Sequence, residues 1–238
     1  MNIAVDIGNT LIKVGLFKEN ILTNVMHYED MENLIESGLS GDHWVFSSVK
    51  GDSIIQYLEH QSFLKVSHNS SMPIKLNYNT PETLGVDRFT AAVGASQIFP
   101  NRNLLIIDFG TCITYDILTQ HGMYEGGIIA PGLKMRQVAM HHQTHQLPNI
   151  SKSWQDFSDT LPGKSTNTCL FHGSYTAILM EANGFIEHFK KDYEKLVVII
   201  TGGDSSHFES KLKAPIFADS NLILKGLNKI LTHNKLDD

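Results

Sequence analysis

The stretch DIGNT at residues 6–10 decides the fold, because it forms a sharp turn between two apolar runs. The run at 2–5 before the turn and the run at 11–17 after it predict two strands of a hairpin. Gly8 lets the backbone approach a ligand closely, and the amides that follow it can point at phosphate oxygens, as turn nests do. The carboxylate of Asp6 suits a hydrated Mg²⁺, which takes one or two carboxylates and keeps several waters.

A second hairpin with the same pattern lies further along the chain. DFGT at 108–111 follows the buried run 104–107 and precedes another apolar run at 112–118. A single Asp-x-Gly turn is a weak signal, because Asp and Gly are ordinary turn residues and two unrelated turns would look the same. The repetition favours two similar half-molecules that face a shared cleft, which we place at residues 1–100 and 101–238.

The rest of the pattern alternates strands with helices. After an initial meander, this alternation predicts an α/β fold with mixed sheets flanked by helices. A polar loop over 67–85 leads into a predicted helix over 86–98, and a loop of that length is usually functional. Asp87 then lies in the first helical turn, where an acidic side chain also stabilises the helix dipole without any catalytic role. A long helix is predicted over 168–189, and it is apolar enough to lie in an interface.

Composition excludes several classes of function. The chain has 238 residues, a net charge of −6 and scattered Lys and Arg, which argues against a nucleic-acid-binding face. No apolar run approaches the ~20 residues that span a bilayer, and the first residues do not form a signal peptide. Cys112 and Cys169 are the only cysteines, so we expect no disulfide framework and a cytoplasmic location.

Twelve histidines raise the question of a zinc site. His141 and His145 are spaced by one helical turn, with His142 between them. A zinc-binding helix needs a further ligand and usually the Glu of a His-Glu-x-x-His pattern, which is absent here. We therefore expect these histidines at the surface or in an interface.

The paired hairpins resemble the phosphate-binding turns of the actin, Hsp70 and sugar-kinase superfamily, and the chain as a whole resembles a type III pantothenate kinase. The motifs that carry the resemblance are DIGNT at 6–10, YNTPETLGVDR at 78–88, DFGT at 108–111, GGIIAPG at 126–132, GKST at 163–166 and TGGD at 201–204. They run in the family's order through nearly the whole chain. The Tyr-x-x-Pro-x-x-Leu-Gly-x-Asp-Arg stretch is the most discriminating, and the resemblance implies duplicated ribonuclease H-like (actin-like ATPase) halves.

The resemblance implies ATP-dependent phosphorylation of pantothenate at its 4′-hydroxyl, the first step of coenzyme A biosynthesis. The resemblance also implies that Asp87 is the proton acceptor and that Arg88 pairs bidentately with the substrate carboxylate. The implied substrate-binding residues are Tyr78, Gly85, Val86, Asp87, Arg88 and Thr166. From the residues alone, Tyr78 could equally be a loop-packing aromatic and Thr166 a helix N-cap.

The implied ATP-binding residues are Asp6, Ile7, Gly8, Asn9, Thr10, Leu11, Ile12, Lys13 and Thr111. Asp108 matches the family position that binds a monovalent cation, K⁺ or NH₄⁺, although chemistry alone does not separate K⁺ from Mg²⁺ there. The family also implies a homodimer with the second-half helices in the interface. Cys112 stands where the family usually has a small Ala, and we expect it to be tolerated as a small hydrophobe.

Two other functions remain open from the sequence. One is a different small-molecule kinase of the same superfamily, although the Leu-Gly-x-Asp-Arg stretch disfavours it. The other is a Bvg accessory factor-like regulator that does not act as an enzyme. The acidic charge argues against direct contact with DNA, and the presence of Asp6, Asp87 and Asp108 argues for catalysis.

Overall fold

The computed structural model of the chain describes residues 1–8, 10–48, 53–58, 61–152, 155, 157–158 and 160–236. Strands and helices alternate along the described chain, and the strands form two mixed sheets. Among the described residues, no helix combines the length and the apolar character needed to cross a membrane.

The first sheet contains β1 (Asn2–Ile7), β2 (Ile12–Lys18), β3 (Ile21–Tyr28), β4 (His43–Ser48) and β5 (Phe63–Lys65). Its order is β3-β2-β1-β4-β5, in which β1 pairs antiparallel with β2 and parallel with β4. Helices α1 (Met31–Glu36) and α2 (Ser53–Leu58) follow β3 and β4. The buried side chains of β1, including Ile3 and Val5, pack in one core with Trp44 and Phe46 of β4.

The second sheet contains β6 (Lys75–Leu76), β7 (Leu104–Phe109), β8 (Cys112–Leu118), β9 (Met123–Pro131), β10 (Val197–Thr201) and β11 (Ile216–Ala218). Its order is β11-β10-β7-β8-β9-β6. Without β6, this order repeats that of the first sheet strand for strand, because β7 to β11 take the places of β1 to β5. The predicted α/β class with mixed sheets and helices is confirmed.

The later helices are α3 (Val86–Ile98), α4 (Leu133–His142), α5 (Thr166–Phe171), α6 (Ala177–Asp192), α7 (Ser205–Phe208) and α8 (Leu222–Leu236). The bounds of α3 are those predicted, and a short 3₁₀ turn over Pro81–Thr83 precedes it. The predicted helix over 168–189 begins earlier, at α5, and a π-helical segment over His172–Thr176 separates α5 from α6.

The chain divides into two compact units. The first unit consists of Met1–Ile106, Asp116–Gly126 and Asn221–Asp238, and the second of Ile107–Tyr115 and Gly127–Ser220. The final helix α8 belongs to the first unit because its backbone lies directly against α3, where a Cβ on Gly94 or Gly226 would strike a backbone carbonyl. This division concerns compactness, so the predicted pair of similar halves at 1–100 and 101–238 stays a prediction.

Candidate active site

The turn between β1 and β2 holds a carboxylate at the end of the first sheet. The Gly8 N–H donates to the carbonyl oxygen of Leu11 at 3.2 Å, which closes the turn. The hairpin register places Asp6 opposite Lys13, and the parallel register places it opposite Ser47. The Ser47 hydroxyl donates to Asp6 Oδ1 at 3.0 Å, so the carboxylate is held in one orientation.

The other residues predicted to bind ATP in this turn differ in exposure. The side chains of Ile7 and Ile12 are buried in the core, so only their backbone could meet a nucleotide. Thr10 and Leu11 are exposed, and Asn9 lies outside the described residues. The backbone of the turn and the exposed side chain of Thr10 are therefore the described parts that could meet phosphate oxygens.

Asp6 lies in an environment that disfavours its charge. Burial raises the pKa of Asp6 to about 6, from an ordinary value of 3.8. The hydrogen bond from Ser47 opposes this rise, the charge of Asp87 adds to it, and Lys13 opposes it. The contribution of Asp87 means that the two predicted functional carboxylates lie near each other in the first unit.

Asp87 lies in the first turn of α3, as predicted. Its Oδ1 accepts a hydrogen bond from the backbone N–H of Arg88 at 2.9 Å, so the carboxylate also satisfies part of the helix N-terminus. Burial raises the pKa of Asp87 above its ordinary value of 3.8. The Arg88 N–H opposes this rise and the nearby carboxylate of Asp116 adds to it.

Arg88 does not extend into solvent. Its side chain is 6% exposed, and its Nε and Nη2 donate to Oδ1 of Asp116 at 3.0 and 2.6 Å. The hydroxyl of Tyr124 donates to the same oxygen at 2.6 Å. The sequence predicts a substrate carboxylate as the partner of Arg88 and gives no direct indication of Asp116 and Tyr124. The one available signal was an acidic residue inside the apolar strand β8.

Tyr78 lies beside the same cluster. Its side chain contributes to the raised pKa of Arg88, and its ring is 6.3 Å from that of Tyr124. Gly126 leaves room for it, because a Cβ there would lie 3.3 Å from two carbons of the Tyr78 ring. With φ at +90°, Gly126 also has a backbone conformation that other residues rarely adopt.

The residues of the first unit that are predicted to bind the acceptor substrate therefore lie together around the start of α3. They are Tyr78, Gly85, Val86, Asp87 and Arg88. Gly85 is the N-cap of α3, and a Cβ on it would lie 2.5 Å from Asp87 Oδ1. Gly85 therefore leaves the space that the carboxylate occupies.

The turn of the second hairpin, in the second unit, is also closed by a hydrogen bond from its glycine, but it is one residue tighter than the first. The Gly110 N–H donates to the carbonyl of Cys112 at 3.1 Å, and the Gly132 N–H donates to that of Thr111 at 3.1 Å. Thr111 is exposed and Asp108 is half-buried. Gly202, with φ at +95°, lies against this turn, and a Cβ on it would strike Asp108 Oδ1.

Thr166, also in the second unit, is the first residue of α5 and is exposed. The N-cap is its neighbour Ser165, whose Oγ accepts from the Thr168 N–H at 3.2 Å. The alternative that Thr166 is itself the helix cap is therefore wrong. Its exposed hydroxyl is compatible with the predicted substrate contact.

The chain is similar to known proteins in sequence and in structure. A family model described as type III pantothenate kinase matches residues 2–188. A type III pantothenate kinase of Phocaeicola vulgatus is 38% identical over 242 residues, which cover 98% of this chain and 99% of that protein. A type III pantothenate kinase of Cytophaga hutchinsonii is 37% identical over 237 residues, which cover 98% of this chain and 100% of that protein.

Two solved structures illustrate the similarity in fold. A Campylobacter jejuni protein titled as a Baf family transcriptional activator gives a TM-score of 0.67 at 22% identity, covering 98% of this chain and 99% of that one. The ROK hexokinase of Thermus thermophilus gives 0.52 at 12% identity, covering 96% and 97%. At these identities the likeness concerns the fold alone, and it confirms the predicted fold, which is the one shared by actin-like ATPases and sugar kinases.

Proposed function

The chain belongs to the type III pantothenate kinase family, and on that premise we propose that it transfers the γ-phosphoryl group of ATP to the 4′-hydroxyl of pantothenate. The products are ADP and 4′-phosphopantothenate, in the first step of coenzyme A biosynthesis. The observation that carries the proposal is the placement of Asp87 in the first turn of α3, next to the buried Arg88 and in the same unit as Asp6 of the phosphate-binding turn. The charge of Asp87 also raises the pKa of Asp6. Neither a different kinase of the superfamily nor a Baf-type regulator has a comparable observation in its favour.

Asp87 acts on the acceptor hydroxyl. Phosphoryl transfer leaves little covalent chemistry to the protein, so positioning and charge stabilisation provide most of the rate. An alcohol is hard to deprotonate in advance, so Asp87 accepts its proton as the new O–P bond forms and the bond to ADP breaks. The raised pKa of Asp87 suits this role, because a carboxylate of higher pKa is a better proton acceptor.

The two hairpins bind ATP. The ATP-binding residues in this proposal are the turn and strand ends at 6–13, together with Thr111 of the second hairpin. Lys13, opposite Asp6 in the register, supplies positive charge for phosphate. The oriented carboxylate of Asp6 fits Mg²⁺, a hard cation that prefers oxygen ligands. When bound, Mg²⁺ would supply charge neutralisation on the phosphates.

The acceptor pantothenate is held by the cluster at the start of α3. Arg88 pairs with its carboxylate, and Tyr78, Gly85, Val86 and Thr166 provide the remaining contacts. Two parallel hydrogen bonds from a guanidinium to a carboxylate combine strength with a defined direction.

Asp108 is the proposed position for K⁺ or NH₄⁺. Its half-buried carboxylate offers oxygen donors, which suit such a cation, and the backbone of Gly202 lies close against it. We further propose that the enzyme acts in the cytoplasm.

We also propose that the protein is a homodimer through the second unit. The exposed large hydrophobic side chains of that unit include Ile129 at 61%, Met135 at 39% and Met180 at 62%. Arg136 joins the segments that carry them, because it donates to the Pro131 carbonyl and to Glu181, each at 2.8 Å. Exposed hydrophobic side chains on neighbouring segments are typical of an interaction surface.

The proposed reaction is tested by supplying ATP, Mg²⁺ and K⁺ with a panel of acceptors: pantothenate, glucose, N-acetylglucosamine and glycerol. ADP release gives the rate, and ³¹P NMR identifies the phosphorylated position. We expect turnover with pantothenate and a phosphate ester at its 4′-oxygen. Turnover with a sugar and none with pantothenate would assign the protein to another kinase activity.

A further inference from the structure

The buried pair formed by Arg88 and Asp116 is more elaborate than a substrate-binding arginine requires. Both side chains are almost completely buried, at 6% and 1% exposure. Three donors converge on a single oxygen, Oδ1 of Asp116: two from Arg88 and one from Tyr124. Because these residues come from α3, β8 and β9, the cluster joins three elements, and all three residues lie in the first unit.

The contacts occupy a defined side of the guanidinium. Nε and Nη2 form one edge of the group, and that edge is directed at Asp116. A second edge, formed by Nη1 and Nη2, can also hold a carboxylate by two parallel hydrogen bonds. Tyr78 borders the same cluster, with its ring 6.3 Å from that of Tyr124. An arginine held in this way presents its second edge in one direction.

We propose that Asp116 is a positioning residue for the acceptor carboxylate: it holds the Nε–Nη2 edge of Arg88 so that the Nη1–Nη2 edge faces the substrate beside Asp87. Tyr124 supports this role by fixing the carboxylate of Asp116. The inference rests on the proposed function, since it assigns Arg88 to the carboxylate of pantothenate. A free arginine has many rotamers, so fixing it before the substrate arrives removes an ordering cost from binding.

The competing interpretation is an ion pair that only stabilises the fold. Loss of Asp116 would then leave Arg88 buried without its partner and weaken the whole enzyme, whatever the acceptor. A positioning role predicts something narrower. The loss should fall on acceptors that carry a carboxylate, and only while Arg88 is present.

The test compares pantothenate with pantothenyl alcohol, in which a hydroxymethyl group replaces the carboxylate. For each acceptor, kcat/KM is measured with the wild type, Asp116→Ala, Asp116→Asn, Tyr124→Phe, Arg88→Ala and the double variant of Arg88 and Asp116 to Ala. The KM for ATP and the thermal unfolding temperature are measured alongside. Selectivity is the ratio of kcat/KM for pantothenate to that for pantothenyl alcohol.

We expect Asp116→Ala to lower selectivity about tenfold or more, as for a lost hydrogen bond to a charged group, through a higher KM for pantothenate. The KM for ATP should stay close to wild type. Asp116→Asn should retain most of the selectivity, because its amide oxygen can still accept from Nε and Nη2. In the Arg88→Ala background, the Asp116 substitution should have no further effect on selectivity.

Equal losses with both acceptors, or an effect of Asp116→Ala that persists without Arg88, would overturn the positioning role. Wild-type turnover of pantothenate with unchanged selectivity in a folded Asp116→Ala variant overturns this inference alone. Absence of wild-type turnover with pantothenate overturns the proposed function and this inference with it. If Asp116→Ala does not fold, Tyr124→Phe decides, since it should lower selectivity in the same direction and an unchanged ratio refutes the proposal.

Discussion

Substitution of Gly85 by Ala should separate catalysis from stability. The backbone of Gly85, at φ −56° and ψ 129°, is one that any residue can adopt, so alanine introduces no backbone strain. Its methyl group would, however, lie 2.5 Å from Asp87 Oδ1, closer than real side chains come. The next contacts, with Arg88 side-chain carbons at 3.5 and 3.6 Å, are ordinary. The carboxylate of Asp87 is therefore the group that must move.

The size of the effect follows from this distance. Ordinary contact begins at 3.4 Å, so Asp87 Oδ1 must retreat by about 0.9 Å. Displacement of a reacting group by about 1 Å costs on the order of a hundredfold in rate. The free energy of unfolding should change by less than about 1 kcal/mol. The group that moves is only the end of a side chain, and alanine lowers the conformational entropy of the unfolded chain, which favours folding.

The assay is ADP release with pantothenate, run beside urea unfolding. The matched control is Gly184→Ala, where nothing lies within 4 Å of the added methyl group. We expect Gly85→Ala to lose about two orders of magnitude in kcat with near-native stability, and the control to keep full activity. Full activity in Gly85→Ala would refute the placement of Asp87, as would a rate loss fully explained by unfolding.

Asp6→Asn should be inactive, yet more stable than the wild type at pH 8. Burial raises the pKa of Asp6 from 3.8 to about 6, so the wild type loses stability as the pH rises through 6, whereas asparagine carries no charge. In urea unfolding, the free energy of unfolding of the variant should exceed that of the wild type by up to about 3 kcal/mol at pH 8 and by almost nothing at pH 3.5. An equal difference at both pH values would contradict burial of the Asp6 charge as the reason. Gly202 has φ at +95° and lies against Asp108, so Gly202→Ala should lower the free energy of unfolding by more than about 1 kcal/mol. The rate of this variant should also no longer depend on K⁺, and a K⁺ titration that matches the wild type would count against a cation site at Asp108. Met180→Glu should yield a monomer by light scattering, and a persistent dimer would place the interface elsewhere.

Local patterns predicted much of this molecule. The sequence predicts the hairpin at 6–10 and the helix over 86–98, because strand alternation, turn residues and helical spacing depend only on residues that are close together in the chain. The π-helical segment at His172–Thr176 was missed, because its spacing of apolar residues hardly differs from that of an α-helix. The two-residue strand β6 was also missed, since it depends on pairing with β9 rather than on its own sequence.

The site divides in the same way. Asp87 and Arg88 were found through a local motif, but the partner of Arg88 was not, because Asp116 is 28 residues away and meets it only in the folded chain. The pattern of apolar and polar residues in β8 does not indicate that Asp116 is buried against Arg88. Long-range polar pairing of this kind is determined by packing, so a single sequence seldom reveals it.

The most direct measurement compares the rate of pantothenate phosphorylation by the wild type with that by Asp87→Asn. Asparagine keeps the shape of the side chain and the hydrogen bond from the Arg88 N–H, but it cannot take a proton from the acceptor hydroxyl. We predict a fall in kcat of at least about a hundredfold, with the KM for ATP nearly unchanged. A variant that phosphorylates pantothenate at the wild-type rate would contradict the assignment of Asp87 as the proton acceptor.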